Sequence, residues 1–205
     1  MRPAWQTIKS AFVDFIDEVF LLALFNLLWV VSALLVLPFP FATAGLTWAA
    51  VQIGEGRAIS WRTFFEGGRR YWKPAYLWAL INLAVWAVTF FNISFYGRVN
   101  TTWSLLVRSV VFSMAIIWAV LQLYVFPLLI RQDVPSLKLA YRNGLILISA
   151  WPLLTILVLV LALILLIISS LLTLPLFFFY FAFVALLTNR AVEEALKAEK
   201  VRRGG

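Results

Sequence analysis

Four stretches of this chain carry no charged residue: between Glu18 and Glu55, between Lys73 and Arg98, between Arg108 and Arg131, and between Arg142 and Arg190. A helix crossing about 30 Å of hydrocarbon needs about 20 apolar residues at about 1.5 Å of rise each. The first and last stretches are each long enough for two passes, so the pattern predicts about six crossings in three hairpins. In lipid every backbone polar group must be satisfied within the protein, which leaves helices or a closed barrel. Aliphatic runs such as 156–168 lack the alternation of a barrel strand. The expected fold class is therefore an all-α membrane protein, a polytopic bundle of about six transmembrane helices.

Composition narrows the chemistry. Charged residues make up 13% of the 205 positions and hydrophobic ones 64%, against about 25% and 45–50% in a soluble domain. That leaves too few charges to cover a water-facing globule, and the expectation is one membrane-embedded domain over 1–205. There is no cysteine and no histidine. Disulfides, thiolate nucleophiles, imidazole metal ligands and the usual general base near neutral pH are thereby excluded. No catalytic, cofactor or metal residue is assigned, and no enzyme is expected. Asp14, Asp17 and Glu18 stand where the apolar core of a cleavable signal peptide would begin.

Orientation follows from the basic residues, which cytoplasmic loops retain. With crossings near 19–36, 37–53, 74–96, 104–130, 147–168 and 171–187 and the N-terminus inside, all of the 17 basic residues except Arg98 and Arg108 face the cytoplasm. The outer connections at 37–40 and 169–170 carry no charge. The expected location is the cell membrane, multi-pass, with both termini cytoplasmic. The first pair is the shortest, with Pro38 and Pro40 at its turn. It either spans fully or dips in and returns as a re-entrant hairpin; the charges are the same both ways.

The chain then divides into a cytoplasmic amphipathic helix (1–18), a first hairpin (19–53), a second amphipathic segment (54–73), a second hairpin (74–130), a cytoplasmic segment (131–146), a third hairpin (147–187) and a basic tail (188–205). Three segments show a helical apolar stripe. In the first, Trp5, Ile8, Phe12, Phe15 and Val19 oppose Gln6, Lys9, Ser10, Asp14 and Asp17. In the second, Trp61, Phe64, Phe65, Gly68 and Trp72 follow the capping residue Ser60. The third repeats the spacing with Leu137, Ala140, Tyr141, Gly144, Leu145 and Ile148 after Ser136. The likeness suggests repeated units of interfacial helix plus hairpin. Trp61, Arg62, Phe65, Arg69, Arg70, Lys138 and Arg142 form the expected cytoplasmic docking or lipid-contact face.

Within the spans the polar residues are few and uncharged. Asn26, Asn82 and Gln122 either cross-link helices, as polar groups in lipid do, or line a cleft for a small neutral solute. No ionisable group of the kind that couples transport to ions falls inside a span. The surplus of basic residues, a net charge of +8, fits attraction to anionic lipid headgroups. No nucleic-acid reading motif and no phosphate-binding glycine loop is present.

The run Asn26-Leu27-Leu28-Trp29, the proline break at Pro38 and Pro40, and Thr43-Ala44-Gly45-Leu46 resemble the start of the YesL-like family of bacterial membrane proteins. The similarity continues through Gly54-Glu55-Gly56-Arg57, Trp61-Arg62-Thr63-Phe64-Phe65, Tyr124-Val125-Phe126-Pro127-Leu128-Leu129 with Arg131, and Leu137, Lys138, Ala140 and Asn143. The spacer Pro38-Phe39-Pro40-Phe41-Ala42 departs from the family's pattern. The resemblance implies an accessory protein beside a carbohydrate uptake system and brings no catalytic residues. The expected function is a non-enzymatic accessory or regulatory partner of a solute uptake system, contacting transporter subunits or itself. The alternative is a carrier or channel for a small neutral solute.

Overall fold

The computed structural model describes residues 4–99 and 101–204, with no strand among them. Arg2 and the side chains of Arg202 and Arg203, counted above on the cytoplasmic side, lie outside what is described. The helices are α1 (Ala4–Asp17), α2 (Val19–Leu35), α3 (Phe39–Gly54), α4 (Trp61–Gly97), α5 (Thr102–Ile130), α6 (Leu137–Ala150), α7 (Pro152–Leu172) and α8 (Phe181–Gly204). A five-residue π-helical stretch, Leu176–Tyr180, leads into α8. Among the described residues four helices are long and apolar enough to cross a membrane: α4, α5, α7 and the π stretch continued by α8. A fifth is reached only if α1 and α2, bent 92° apart, count as one span.

Two turns between helices share one conformation. Leu37 N–H donates to Leu35 O at 2.7 Å around Val36, whose φ is 64° and ψ −56°; Thr173 takes φ 60° and ψ −56° after α7. Both are γ-turn values, strained for β-branched residues. The second turn lies beyond the expected 169–170. Ser169 and Ser170 remain helical, and the break falls at Thr173.

Proline also decides how the amphipathic segments join the spans. Pro74 cannot donate to the carbonyl of Arg70, and α4 bends at Tyr71 (φ −111°, ψ 16°) without breaking. The second segment and the span after it thus form one bent helix. Pro152 acts more strongly: Trp151 leaves helical geometry (φ −128°, ψ 56°), so α6 and α7 are separate, and α6 runs on to Ala150. In α1 the packed stripe is Thr7, Ile8, Ala11 and Phe15, so Ile8 and Phe15 of the expected face pack while Trp5 and Phe12 are exposed. Asp14 pulls the helix round, because its carboxylate is bonded to Arg190 of α8 at 2.7 Å. Phe15 then settles edge-on against Phe179 and Phe183.

The tightest packing in the molecule joins α3 to the first half of α4, and glycine makes it possible. A Cβ on Gly45 would stand 2.4 Å from the carbonyl oxygen of Phe64; on Gly67 it would meet Trp48 at 2.3 Å, and on Gly68 the ring of Phe41 at 2.3 Å. Backbones approach this closely only where side chains are missing. The core around this contact holds Leu22, Phe25, Phe64, Tyr71, Tyr124, Leu129, Leu186 and Val192, all buried.

Candidate functional site

The polar side chains of the spans fall into two separate places. Asn82 on α4 and Gln122 on α5 meet directly, Asn82 Nδ2 donating to Gln122 Oε1 at 3.2 Å and to its own helix at Trp78 O. Trp78 Nε1 donates to the same Gln122 oxygen at 2.8 Å, and Trp118 Nε1 donates to Asn82 Oδ1 at 3.0 Å. Gln122 Nε2 returns to Trp118 O, and the Tyr141 hydroxyl of α6 points at Gln122 Oε1 with its ring stacked on Trp118. Both amides are thus engaged on both ends. Their chemistry is interhelical bonding, which ties α4, α5 and α6 together.

Asn26 lies elsewhere, 0% exposed on α2. Its Nδ2 donates to Leu176 O and Phe177 O at 3.0 and 2.6 Å, and its Oδ1 accepts from Ala182 N–H at 2.9 Å. A π-helical stretch frees backbone groups from the regular ladder, and this one amide takes up three of them. Asn26 therefore braces the π stretch and belongs to no cleft shared with Asn82 and Gln122. Asn92 and Ser113 bond their own helices, at Val88 O and Ser109 O, while Gln52 accepts from Arg57 beyond the end of α3 and Thr43 accepts from Trp29 of α2.

Five of the seven residues expected on a docking or lipid-contact face lie together: Trp61, Arg62, Phe65, Arg69 and Arg70. Ser60 opens α4, its N–H donating to Thr63 Oγ1 at 3.0 Å. Helical spacing then turns Phe64, Gly67, Gly68 and Tyr71 inward and leaves Trp61, Arg62, Phe65, Glu66, Arg69 and Arg70 exposed. These six line one open groove of about 710 Å³. The Arg62 guanidinium lies 5.4 Å from the Trp61 ring centre, and that of Arg70 lies 5.2 Å from the Trp48 ring centre, within cation–π range. Lys138 and Arg142 are exposed on α6 and take no part in this groove.

One cluster escaped sequence reasoning. Arg131, at the end of α5, donates to Asn189 Oδ1, and Asn189 Nδ2 donates to Ala50 O at 2.9 Å. Burial pushes the Arg131 guanidinium below its ordinary pKa, with the charges of Glu193 and Glu55 opposing that shift. Beside it Arg190 donates to Asp14 Oδ2 at 2.7 Å, to Gly54 O at 3.1 Å and to Glu193 Oε2 at 2.9 Å. Four helices, α1, α3, α5 and α8, are joined at one polar knot. Its bonds run from helix to helix, and its chemistry is structural. Among the described residues no group of three carboxylates could hold a metal ion.

No family model matches this sequence, no curated protein is significantly similar to it, and no solved structure matches its fold.

Proposed function

We propose that this chain is a non-enzymatic, multi-pass protein of the cell membrane that acts as an accessory or regulatory partner of a solute uptake system. Carbohydrate is the solute class that the YesL-like resemblance implies. One observation carries the reading: the most apolar stretch of α4 buries none of its residues within its own chain. Leu83, Val88, Phe90 and Phe91 project from it, more than 60% exposed. A bare ridge of this kind suits packing against the helices of another membrane protein. The carrier reading loses support, because Asn82 and Gln122 are bonded to each other and to tryptophan donors, and Asn26 is used elsewhere. A photo-crosslinking residue at Phe90, activated in native membranes, is expected to capture a transporter subunit. Adducts with lipid and with copies of the chain alone would argue against the partner role.

Within that reading we place four crossings in the membrane, α4, α5, α7 and α8, with the α2–α3 hairpin re-entrant from the cytoplasmic side. α2 and α3 have 17 and 16 residues, about 25 Å of helix each. The Tyr76 hydroxyl donates to Leu37 O at 2.8 Å, and the Phe39 ring lies 6.0 Å from Trp78. Trp78 in turn touches Phe126, one turn before α5 ends at Ile130. The hairpin turn thus sits beside the beginning of the apolar run of α4, which continues from Trp78 to Gly97 for about another 28 Å. All the charges assigned to the cytoplasm stay there. A single cysteine at Leu37 in this cysteine-free chain is expected to resist membrane-impermeant maleimide added outside intact cells, while one at Arg98 reacts. Equal labelling of the two would restore six crossings.

A further inference from the structure

We propose that the outer face of α4 holds a built seat for one anionic phospholipid, with its phosphate on Arg69 and its chains led away over Phe41, Trp72 and Tyr76. The inference stands apart from the partner reading, since it concerns a different face and a different ligand.

Two open grooves meet on this face. The first, of about 710 Å³, is walled by Trp61, Arg62, Phe65, Glu66, Arg69 and Arg70; the second, of about 520 Å³, by Phe41, Arg69, Trp72 and Tyr76. Arg69 is the one residue common to both. The first groove sets three guanidinium groups and one carboxylate beside the rings of Trp61 and Phe65. Neither Arg62 nor Arg69 has a hydrogen-bond or ion-pair partner among the described residues, and Glu66 pairs with none of the arginines. Guanidinium donors match phosphate oxygens in geometry and charge, so the unmet chemistry here is an anion's.

The second groove is apolar and leads toward lipid. Its far wall is Tyr76, whose hydroxyl bonds the Leu37 carbonyl at 2.8 Å. Beyond lie Val36 and Leu37, 70% and 77% exposed, an adjoining apolar pair that suits hydrocarbon. Trp61, Phe65 and Trp72 are exposed along the same edge, and such rings settle at the headgroup level of a bilayer. From Arg69 to Tyr76 the helix climbs about 10 Å. Cationic donors therefore pass into aromatic walls and then into an apolar tip over that distance. A free phosphate would use only the first groove; an anionic amphiphile uses both.

Native mass spectrometry of the delipidated full-length protein tests this, with phosphatidylglycerol, phosphatidylcholine and inorganic phosphate offered in turn. The expected result is a retained phosphatidylglycerol adduct at least five times as abundant as the phosphatidylcholine adduct, with no phosphate adduct. Arg69→Gln should cut that adduct at least five-fold and Trp72→Ala at least two-fold, while Arg98→Gln, at the other end of α4, leaves it unchanged. Arg69 is exposed and unbonded, so its replacement does not threaten the fold. Equal retention of the two lipids overturns the proposal. So does a phosphatidylglycerol adduct indifferent to Arg69→Gln, or inorganic phosphate retained as well as the lipid.

Discussion

Gly45→Ala is expected to destabilise the protein by about 2–3 kcal/mol, the opposite sign to an alanine replacing an unpacked helical glycine. Alanine has the higher helix propensity by about 1 kcal/mol, so an unpacked glycine should gain from the change. At Gly45 the new methyl would lie 2.4 Å from the Phe64 carbonyl oxygen. A backbone atom cannot swing aside as a long side chain can, so α3 and α4 must separate. Overpacking of a close contact usually costs about 1–3 kcal/mol. Separation would also loosen the stacked pair Phe25 and Phe64, with ring centres 5.3 Å apart, and the bond between Tyr71 Oη and Ile130 O. Gly97→Ala is the control, because a Cβ there meets nothing within 4 Å. Thermal unfolding in mild detergent should show the midpoint of Gly45→Ala fall by several degrees while that of Gly97→Ala holds or rises. Equal midpoints would mean that α3 and α4 do not pack as described.

Gly45 also marks the limit of what the sequence discloses. Charge-free stretches and basic flanks depend on hydrophobicity alone, so the all-helical, membrane-spanning class is readable from residue type. The amphipathic stripe after Ser60 is equally local, and Trp61, Arg62, Phe65, Arg69 and Arg70 do gather on one exposed face. What proved illegible depends on distant partners. Asn26 looks like Asn82 in the sequence, since each is a lone amide in an apolar run. Yet one bonds a π stretch 150 residues away, and the other pairs with Gln122. Asp14 read as part of a solvated face and Arg190 as the first charge of a tail, because nothing local shows that they meet. The lengths of α2 and α3 were legible, but the position of their turn beside Tyr76 was not. Helix periodicity fixes which face is apolar; it does not fix how deep a hairpin reaches.

The meeting of Asp14 and Arg190 supplies the second large effect. Arg190→Met should destabilise the protein by about 2–3 kcal/mol. The Arg190 side chain is only 18% exposed, with Asp14 at 16% and Glu193 at 19%. Removing the guanidinium leaves the Asp14 carboxylate and the Gly54 carbonyl without that donor, and Glu193 with Lys197 alone, in a largely desolvated place. Breaking a fully buried pair in this one-sided way costs about 3–5 kcal/mol, and residual exposure lowers that figure here. Removing both partners is a different operation. Asp14→Leu together with Arg190→Met takes away the stranded charge as well as its partner, so the double variant should lose at least about 1 kcal/mol less than the sum of the two singles. Chemical unfolding in detergent micelles measures all four corners of the cycle. Additive losses would mean that the ion pair does not couple α1 to α8. α1 would then be held by its packing, Ile8, Ala11 and Phe15 against the core, and trypsin should cut after Lys9 equally fast in Arg190→Met and in the unaltered protein. With the pair acting as the latch, the variant should be cut several-fold faster there, because the polar knot is what keeps the amphipathic helix from lifting off α8.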